Sequence, residues 1–379
     1  MLSLSNLPTP ACLIDKVKMQ NNIARLSTHI GSLGCRIRPH VKTHKSVEIT
    51  QAIFEGGNAS GITVSTLKEA KHFFAHGYKD VLYAVGIVPS KLEDVAQLLN
   101  QGCHLTIILD SVDMATRVVD SASAFGCIFP VMIELDTDGH RSGADPQGQE
   151  IINIANVLHQ SEHTELKGVM THAGESYNCF SHEEQRTIAR QERDLSILAA
   201  NRIRQQGIEC AEVSIGSTPT AFAIDDLTGI TEVRAGVYVL FDLVMAGLQV
   251  CKNENIAMSV LASVIGHQQH KDWVITDAGW MAMSRDRGTA SHPVDQGYGL
   301  VCTVEGKVKA DFIIADANQE HGILQHRNGS SETAISSFPL ASKLRILPNH
   351  ACSTAAQYDH FFLVENDTVL AELSTISGW

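Results

Sequence analysis

The chain has 379 residues, of which 44% are hydrophobic and 19% are charged, and its formal net charge is −13. This composition predicts a folded globular protein with two domains, or one barrel with an appendage. The negative charge argues against nucleic acid and anionic membranes as partners. No apolar run of about 18 residues and no signal pattern in residues 1–10 occurs, so no membrane span or leader is expected. Nine single cysteines without a C-x-x-C pair favour a reducing cytoplasm.

Short β-like runs alternate with longer helical patterns up to about residue 243. Several runs are continuous in Val, Ile and Leu, which is typical of parallel strands buried on both faces. The runs predicted as strands are 37–43, 61–65, 80–85, 104–109, 128–136, 166–172, 212–216 and 232–241. Such α/β alternation predicts a (β/α)8 barrel of the TIM type, which typically takes about 250 residues. A doubly wound open sheet is the alternative, but no Gly-rich phosphate motif follows the first strand.

Three Ser/Thr-x-x-Glu patterns predict capping boxes at the starts of barrel helices. They are Thr66 with Glu69, Ser90 with Glu93 and Ser181 with Glu184. The last of them opens a long helical pattern that runs to about residue 207.

The pattern changes after about residue 247, where strand-like runs come closer together and long helical patterns stop. The runs are 258–265, 273–277, 299–304, 311–316, 343–347, 361–364 and 368–373. They predict a smaller, mainly antiparallel β domain. We expect residues 1–12 to form a strand that joins this β domain, residues 13–246 to form the barrel, and residues 247–379 to form the C-terminal domain.

Basic and small polar residues follow several predicted barrel strands at the end where barrel enzymes place their chemistry. Lys42 ends the first strand, and we expect it to be partly desolvated there, which would make its amine a nucleophile or a Schiff-base former. A surface lysine in a basic loop is the alternative. The segments 134–143, 171–174, 214–220 and 234–238 follow the fifth to eighth strands.

The turns after the seventh and eighth strands suit an anion. Gly216, Ser217 and Thr218 would let backbone N–H groups and hydroxyls converge at a helix start, and Gly236 allows another close approach. Barrels bind phosphate at this position. A Schiff-base lysine together with a phosphate site is what pyridoxal phosphate requires. Ordinary turn chemistry explains each glycine equally well when it is taken alone.

The chain resembles the fold-type III pyridoxal phosphate enzymes, in which a barrel is followed by a β domain, as in alanine racemase. Within that family it is similar to the metal-activated D-amino-acid branch, which includes D-serine dehydratases and D-threonine aldolases. The resemblance covers essentially the whole chain. The matching stretches are PHVKTHK, GITVSTLKEA, ELDTDGHRSG, THAGESY, SIGSTPTA, TEVRAGVYV, DAGWMAMSRDRGTA, ANQEHGIL and LPNHAC.

The resemblance implies roles for individual residues. Lys42 would form the Schiff base with pyridoxal 5'-phosphate, and its pKa would be lowered by burial and by cationic neighbours. His172 would lie against the cofactor ring, Arg141 would reach its phenolic oxygen, and Tyr177 would lie near the substrate. Arg234 occupies the position from which alanine racemase addresses the pyridine nitrogen, although some metal-dependent relatives lack an arginine there. The residues implied around the phosphate are Gly216, Ser217, Thr218, Gly236, Val237 and Tyr238.

A metal pair is indicated by His350 and Cys352, which are one residue apart. Imidazole with thiolate suits zinc or a similar first-row metal such as manganese or cobalt. One such pair is ordinary by chance in a chain with 18 histidines and nine cysteines. The resemblance favours the metal, since dehydratases of this branch carry His-x-Cys and the aldolases carry His-x-Asp. Glu320 and His321 are lesser candidates as supports for the pair, and the run 285–287 is expected to be a surface ion-pair network.

The resemblance implies β-elimination of water from a D-3-hydroxy amino acid, D-threo-3-hydroxyaspartate or D-serine, to a 2-oxo acid and ammonia. The alternatives are an aldolase that releases glycine and an aldehyde, an amino-acid racemase, and a non-catalytic cofactor carrier. A homodimer is also implied. A second substrate carboxylate would need a cation, and Arg141, Arg285 and Arg287 are all open candidates.

Overall fold

The computed structural model describes residues 2–327 and 333–379. The described chain is organised in two compact units. One, here called the barrel unit, contains residues 24–42, 53–236 and 378–379. The other, here called the β unit, contains the described residues of 1–23, 43–52 and 237–377.

Strands occur in both units. Within the described residues they are β1 (Leu2–Ser3), β2 (Ala11–Asp15), β3 (Arg36–Pro39), β4 (Ile62–Val64), β5 (Asp80–Gly86), β6 (His104–Leu109), β7 (Phe129–Leu135), β8 (Thr164–Thr171), β9 (Glu212–Ile215), β10 (Glu232–Ala235), β11 (Met258–Gln268), β12 (Trp273–Thr276), β13 (Leu300–Cys302), β14 (Val308–Ala317), β15 (Gly322–His326), β16 (Lys343–Leu347), β17 (His360–Glu365) and β18 (Thr368–Ser374).

The longer α-helices belong to the first two thirds of the chain. The described helices are α1 (Lys16–Ser32), α2 (Val47–Glu55), α3 (Leu67–Ala75), α4 (Leu92–Asn100), α5 (Val112–Phe125), α6 (Glu150–His159), α7 (His182–Arg204), α8 (Thr218–Ala223), α9 (Leu243–Gly247), α10 (Trp280–Met283), α11 (Ala334–Ser337) and α12 (Ala351–Ala355). None of the described helices is long and apolar enough to cross a lipid bilayer.

The barrel unit contains an eight-stranded parallel sheet in the order β3-β10-β9-β8-β7-β6-β5-β4. A parallel bridge between His40 and Thr63 links β3 to β4 and closes the sheet. The predicted (β/α)8 barrel is therefore confirmed, and each predicted strand has a counterpart. The first strand ends earlier than expected, at Pro39, so Lys42 lies in a 3-10 turn, Val41–Thr43, rather than in the strand.

The barrel strands are apolar because both of their faces are covered. Leu82, Ile108, Met132 and Met170, one from each of four neighbouring strands, form one buried cluster. Burial of a side chain of this size stabilises a fold by about 1.5–3 kcal/mol. Continuous Val, Ile and Leu runs therefore supply much of the energy that holds the strand ends in place.

The predicted helix starts are partly confirmed. The Thr66 hydroxyl accepts from the N–H of Glu69, and Ser181 forms a full capping box with Glu184. The box predicted at Ser90 is wrong. Pro89 begins a 3-10 turn that contains Ser90, so the serine is already inside the turn and α4 begins only at Leu92.

The β unit contains a ten-stranded sheet in the order β1-β18-β17-β2-β11-β12-β15-β14-β13-β16. Its β11 also pairs with β16, and every pair except β2 with β17 is antiparallel. The predicted mainly antiparallel β domain is confirmed. Strand β15 was not predicted, because its sequence begins with glycine and ends with Gln325 and His326. Strand β2 belongs to this sheet and pairs with both β11 and β17.

A buried ion pair joins the first and last strands of the barrel. Arg38 Nε donates to both carboxylate oxygens of Glu232, at 2.9 and 2.8 Å, and the Glu232 side chain is 0% exposed. Ser214 donates to the same carboxylate at 2.7 Å. Arg38 Nη1 also donates to Asp80 at 2.7 Å, but the Asp80 side chain is 48% exposed. The Arg38 guanidinium therefore has one buried partner, Glu232, and one exposed partner, Asp80.

We expect Glu232→Ala to lower the free energy of unfolding by about 3–5 kcal/mol, because the variant leaves a buried arginine charge without its main partner. Asp80→Ala, as the matched control, should cost less than about 1 kcal/mol because water screens its ion pair. Calorimetric melting of both variants would measure the difference. Equal losses in the two variants would contradict the assignment of the buried pair as the stabilising one.

Candidate functional site

Lys42 lies in the 3-10 turn after β3 and its side chain is exposed. In the described part of the chain its Nζ makes no hydrogen bond and no ion pair. The expectation that burial desolvates this amine is wrong for the chain by itself. The strand ends before the lysine, so the turn carries the side chain out of the sheet. Lys42 is thus an accessible amine without a competing acidic partner.

Two histidines of the barrel unit lie close enough to Lys42 for its charge to affect their protonation. Desolvation lowers the pKa of His172 to about 3, and the charge of Lys42 contributes to this shift. Desolvation and Lys42 also place the pKa of His40 well below its usual value. His172 Nδ1 lies 3.1 Å from the carbonyl oxygen of Gly216. A neutral ring donates from Nδ1 to that carbonyl, so the lone pair of His172 is on Nε2.

Arg234 is buried at the end of β10 with 4% of its surface exposed. Its guanidinium donates to Ser214 Oγ at 2.5 Å and to the carbonyl oxygen of Thr171. Burial lowers the pKa of Arg234, while nearby Glu232 and Glu192 act in the opposite direction. The neighbouring strands β8 and β9 therefore hold this cation in a single position inside the barrel.

The turn after β9 requires small residues. Gly216 has a φ of +135°, and a Cβ at this position would lie 2.1 Å from the carbonyl oxygen of Arg234. Ser217 caps α8 and its hydroxyl lies 2.8 Å from Ser176 Oγ, so part of its hydrogen-bonding capacity is already used. Thr218 is the first residue of α8 and is buried. The turn brings the backbone N–H groups of a helix start close to the end of β10.

The other predicted phosphate residues follow β10. Gly236 is the last residue of the barrel unit in this segment, and Val237 and Tyr238 begin the β unit. Val237 and Tyr238 are buried in a 3-10 turn, Val237–Val239. Burial raises the pKa of Tyr238 above its usual range, so its phenol is neutral at physiological pH.

Tyr177 and Arg141 differ in how firmly they are held. The ring of Tyr177 lies 6.2 Å from that of His172, centroid to centroid, in the turn Gly174–Asn178. Arg141 has a 61% exposed side chain, and its Nη2 is 3.9 Å from Glu134 Oε1. The tyrosine is therefore placed beside the histidine, whereas the arginine is free to reorient.

The predicted metal pair is brought together at the start of α12 in the β unit. His350 caps the helix and Cys352 lies in its first turn, where the two side chains contact each other. Burial opposes protonation of His350, but Asp286 and Cys352 outweigh it and raise its pKa to about 11. His350 Nδ1 lies 2.7 Å from Asp286 Oδ2, which leaves Nε2 for a ligand. A carboxylate behind a histidine is the usual support of a metal-binding imidazole.

Two further contacts hold this helix start. Asp242, 1% exposed, accepts the backbone N–H of Ala351 at 2.9 Å. Cys352 Sγ donates to Thr43 Oγ1 at 3.3 Å. Thr43 is the residue that follows Lys42 in the chain. The thiol is thus oriented by a residue whose covalent neighbour is the candidate nucleophile.

Asp286 is the functional residue that sequence reasoning missed. The run 285–287 was expected to be a surface ion-pair network, but Asp286 has a 28% exposed side chain and contacts His350. Its position in the stretch DAGWMAMSRDRGTA was the available signal. Glu320 and His321, proposed as supports, do not take this place. No group of three or more His, Cys, Asp or Glu side chains placed to hold a metal occurs within the described residues.

Acid should destabilise the fold through histidines that are neutral when buried. His44 has a pKa of about 3 because of burial, as does His172. Between the usual histidine pKa of about 6.5 and pH 3 the unfolded chain binds protons that the folded chain does not. Stability should therefore fall as pH falls through this window, by up to about 1.4 kcal/mol per pH unit for each group.

The measurement is the melting temperature of His44→Gln against pH. Its slope between pH 6.5 and pH 4 should be shallower than that of the unaltered protein. The exposed His321→Gln serves as the matched control, and its slope should not change. An unchanged slope in His44→Gln would contradict a neutral buried imidazole.

The chain matches two protein families in succession. The alanine racemase N-terminal domain covers residues 14–243, and the putative serine dehydratase domain covers residues 257–364. The first match alone covers more than half of the chain.

Individual relatives match over nearly their whole length. The chain is 49% identical over 379 residues to D-threo-3-hydroxyaspartate dehydratase of Delftia sp. (strain HT23), covering 100% of this chain and 99% of the relative. It is 31% identical over 383 residues to D-serine dehydratase of Dictyostelium discoideum, covering 96% and 95%. A solved cysteine-to-alanine variant of D-threo-3-hydroxyaspartate dehydratase, described as metal-free, superposes with a TM-score of 0.98 at 48% identity over 100% of both chains. The chain therefore belongs to the alanine racemase-fold family, in the branch that carries the serine dehydratase domain.

Proposed function

We propose that this protein is a pyridoxal phosphate-dependent and divalent-metal-dependent lyase. It would remove water from a D-3-hydroxy amino acid by β-elimination and yield a 2-oxo acid and ammonia. The substrates we propose are D-threo-3-hydroxyaspartate or D-serine, the compounds named in its relatives.

The observation that carries the proposal is the pair formed by His350 and Cys352, with Asp286 behind the imidazole. Two protein ligands leave most of a metal's coordination sphere open for a substrate, which is the arrangement of a catalytic rather than a structural ion. An imidazole and a thiolate favour zinc, with manganese or cobalt as alternatives. The metal-free form described for a relative supports the same assignment.

The residues of the barrel unit are compatible with pyridoxal 5'-phosphate. Lys42 has a free Nζ to hold the cofactor covalently, and the buried Nδ1 of His40 has no hydrogen-bond partner among the described residues. The glycine at position 216 lets the turn after β9 pass close to the Arg234 backbone, where a Cβ would clash, and so places the start of α8 beside the end of β10. We assign the ring to His172, Arg141 and Arg234, and the phosphate to Gly216, Ser217, Thr218, Gly236, Val237 and Tyr238.

Different residues of the chain would then have separate roles in the elimination. Lys42 Nζ, when its amine is free, is the base that takes the proton from the substrate Cα. Neutral His172 packs beside the site without adding a positive charge that would lower the proton affinity of the Lys42 amine, and Tyr177 lies beside its ring. His350 and Cys352 hold the metal in its position, with Asp286 fixing the imidazole.

Each bound group supplies one kind of chemistry. When bound at Lys42, pyridoxal phosphate would withdraw electrons from the substrate Cα. A metal held by His350 and Cys352 would supply Lewis acidity toward the β-hydroxyl group. The Cβ–O bond breaks as the Cα proton is removed, water leaves, and hydrolysis of the resulting enamine gives the 2-oxo acid and ammonia.

We also propose a cytoplasmic homodimer. No disulfide links any of the nine cysteines within the described residues, which suits a reducing compartment. The exposure of Lys42 in a single chain is compatible with a partner that covers it. Size-exclusion chromatography with light scattering would measure the oligomeric state.

A product assay tests the function. Purified protein would receive D-threo-3-hydroxyaspartate, D-serine and D-threonine separately, with and without a metal chelator. We expect 2-oxo acid and ammonia from the first or second substrate, and loss of this turnover with the chelator or in Lys42→Ala. Glycine with an aldehyde would identify an aldolase, inverted amino acid a racemase, and bound cofactor without turnover a carrier.

We expect Cys352→Ala to lose more than about 100-fold in metal-dependent turnover, because one of two protein ligands of the metal is removed. Its visible absorbance from bound pyridoxal phosphate should remain, and its metal content by plasma emission should fall. Cys302→Ala is the matched control, since Cys302 is fully buried in β13 of the same unit. Full metal content and activity in Cys352→Ala would remove the thiolate from the site.

A further inference from the structure

We infer that Arg285 is a specificity-determining residue that binds the second carboxylate of a dicarboxylic D-3-hydroxy amino acid. The inference rests on the proposed function and selects between its two substrates. It assigns the 3-hydroxyaspartate type, in which Cβ carries both the hydroxyl and a carboxylate, over the serine type, in which Cβ carries only the hydroxyl.

The segment that carries Arg285 is fastened to the metal pair. Asp286, the next residue, contacts His350 at 2.7 Å and accepts from Ser353 Oγ at 3.1 Å. Asn349 Nδ2 donates to the carbonyl oxygen of Asp286 at 3.2 Å. Thr354 Oγ1 donates to the carbonyl oxygen of Met283 at 2.8 Å. The backbone on both sides of Arg285 is therefore tied to the segment 349–354, so the base of the arginine side chain is rigidly placed.

The backbone before Arg285 is held in an uncommon conformation. Ser284 is buried and has a φ of +74°. A non-glycine residue in this region costs of order 1–3 kcal/mol and persists only where its surroundings enforce it. The Ser284 hydroxyl accepts from the N–H of Asp286 at 3.2 Å. This conformation sets the direction in which the chain presents Arg285.

The charge of Arg285 is not neutralised by the protein. Its side chain is exposed, and no carboxylate of the described residues lies within ion-pair distance of it. Its guanidinium carbon lies 4.8 Å from the centroid of the Trp280 ring. Contact with an aromatic face restricts the guanidinium but leaves its in-plane N–H groups available, and these match a carboxylate bidentately.

The other candidate arginines have other contacts or assignments. Arg287 forms a 2.7 Å ion pair with Asp295 and lies 4.9 Å from the Tyr298 ring centroid. Arg141, in the barrel unit, faces Glu134 and is assigned to the cofactor. Of the three candidate arginines, Arg285 is thus the one whose guanidinium remains available to bind a substrate carboxylate.

The chemistry of the substrate fits this position. A metal on His350 would hold the β-hydroxyl, and the second carboxylate is bonded to the same carbon. The cation that binds this carboxylate must therefore come from a segment that contacts the metal pair, and Arg285 is one residue along the chain from Asp286, the partner of His350. A local cation is also favoured because the chain carries a net charge of −13, which disfavours binding of an amino acid with a net negative charge.

The test is the ratio of kcat/KM for D-threo-3-hydroxyaspartate to that for D-serine in metal-loaded holoenzyme. In Arg285→Gln we expect kcat/KM for the dicarboxylic substrate to fall by about 10–150-fold, the effect of one lost hydrogen bond to a charged group. KM should carry most of this loss. The value for D-serine should stay within about threefold, since that substrate makes no contact with the guanidinium. Arg285→Lys should restore part of the ratio, because the charge returns without the bidentate geometry.

Arg287→Gln is the matched control from the same segment, and its substrate ratio should not change. Equal losses for both substrates in Arg285→Gln would assign the residue to structure and overturn the inference, as would no loss for either. If the unaltered protein forms no 2-oxo acid from either substrate, the proposed function fails, and the inference with it. If the unaltered protein acts on both substrates and Arg285→Gln has the same ratio of kcat/KM values as the unaltered protein, the proposed function stands and the inference fails.

Discussion

The parallel pairing of β3 with β10 is the constraint on which the barrel site depends. The register sets Arg38 opposite Arg234 and Pro39 opposite Ala235, and the N–H of His40 donates to the carbonyl oxygen of Ala235 at 2.8 Å. Both strands therefore end at the same level, where the chain turns toward Lys42 on one strand and Gly236 on the other. A slip of one residue would exchange the faces of every side chain on β3. The buried contact between Arg38 and Glu232 favours the observed register, because each group would lose its buried charged partner in another one.

The charged residues of the barrel unit discussed above fall into two classes, namely buried charges that hold strands together and an exposed charge without such contacts. Arg38, Glu232 and Arg234 are buried and hydrogen-bonded, so their charges serve to fix strands relative to one another. Lys42 is exposed and carries no such contacts in the described chain. A charge left without a partner on an otherwise well-paired framework is available for chemistry, and this contrast distinguishes the proposed nucleophile from the structural cations of the barrel unit.

In the β unit, contacts with residues from distant parts of the chain position His350 and Cys352, the proposed metal pair. These contacts are needed because helix α12, at whose start the pair lies, is short. Asp242 holds the backbone at Ala351, Asp286 holds the imidazole, and Thr43 contacts the thiol. Carboxylates that orient ligand histidines commonly affect metal affinity by about 10–100-fold. Here the carboxylate that contacts His350 lies between two arginines in the sequence, of which Arg287 pairs with Asp295, so the proposed metal site and the proposed carboxylate site share one segment.

The sequence by itself determined the barrel, the antiparallel β domain and most strand positions. Buried parallel strands such as β5 and β6 require continuous apolar runs, and local capping at Thr66 and Ser181 depends only on neighbouring residues. It also placed Lys42, His172, His350 and Cys352 in recognisable motifs. The structure showed that Lys42 is exposed and that Ser90 lies inside the turn that Pro89 begins. Tertiary contacts alone decided that β15 is a strand and that Asp286 contacts His350. These contacts join residues far apart in the chain, whose free energies local patterns do not encode.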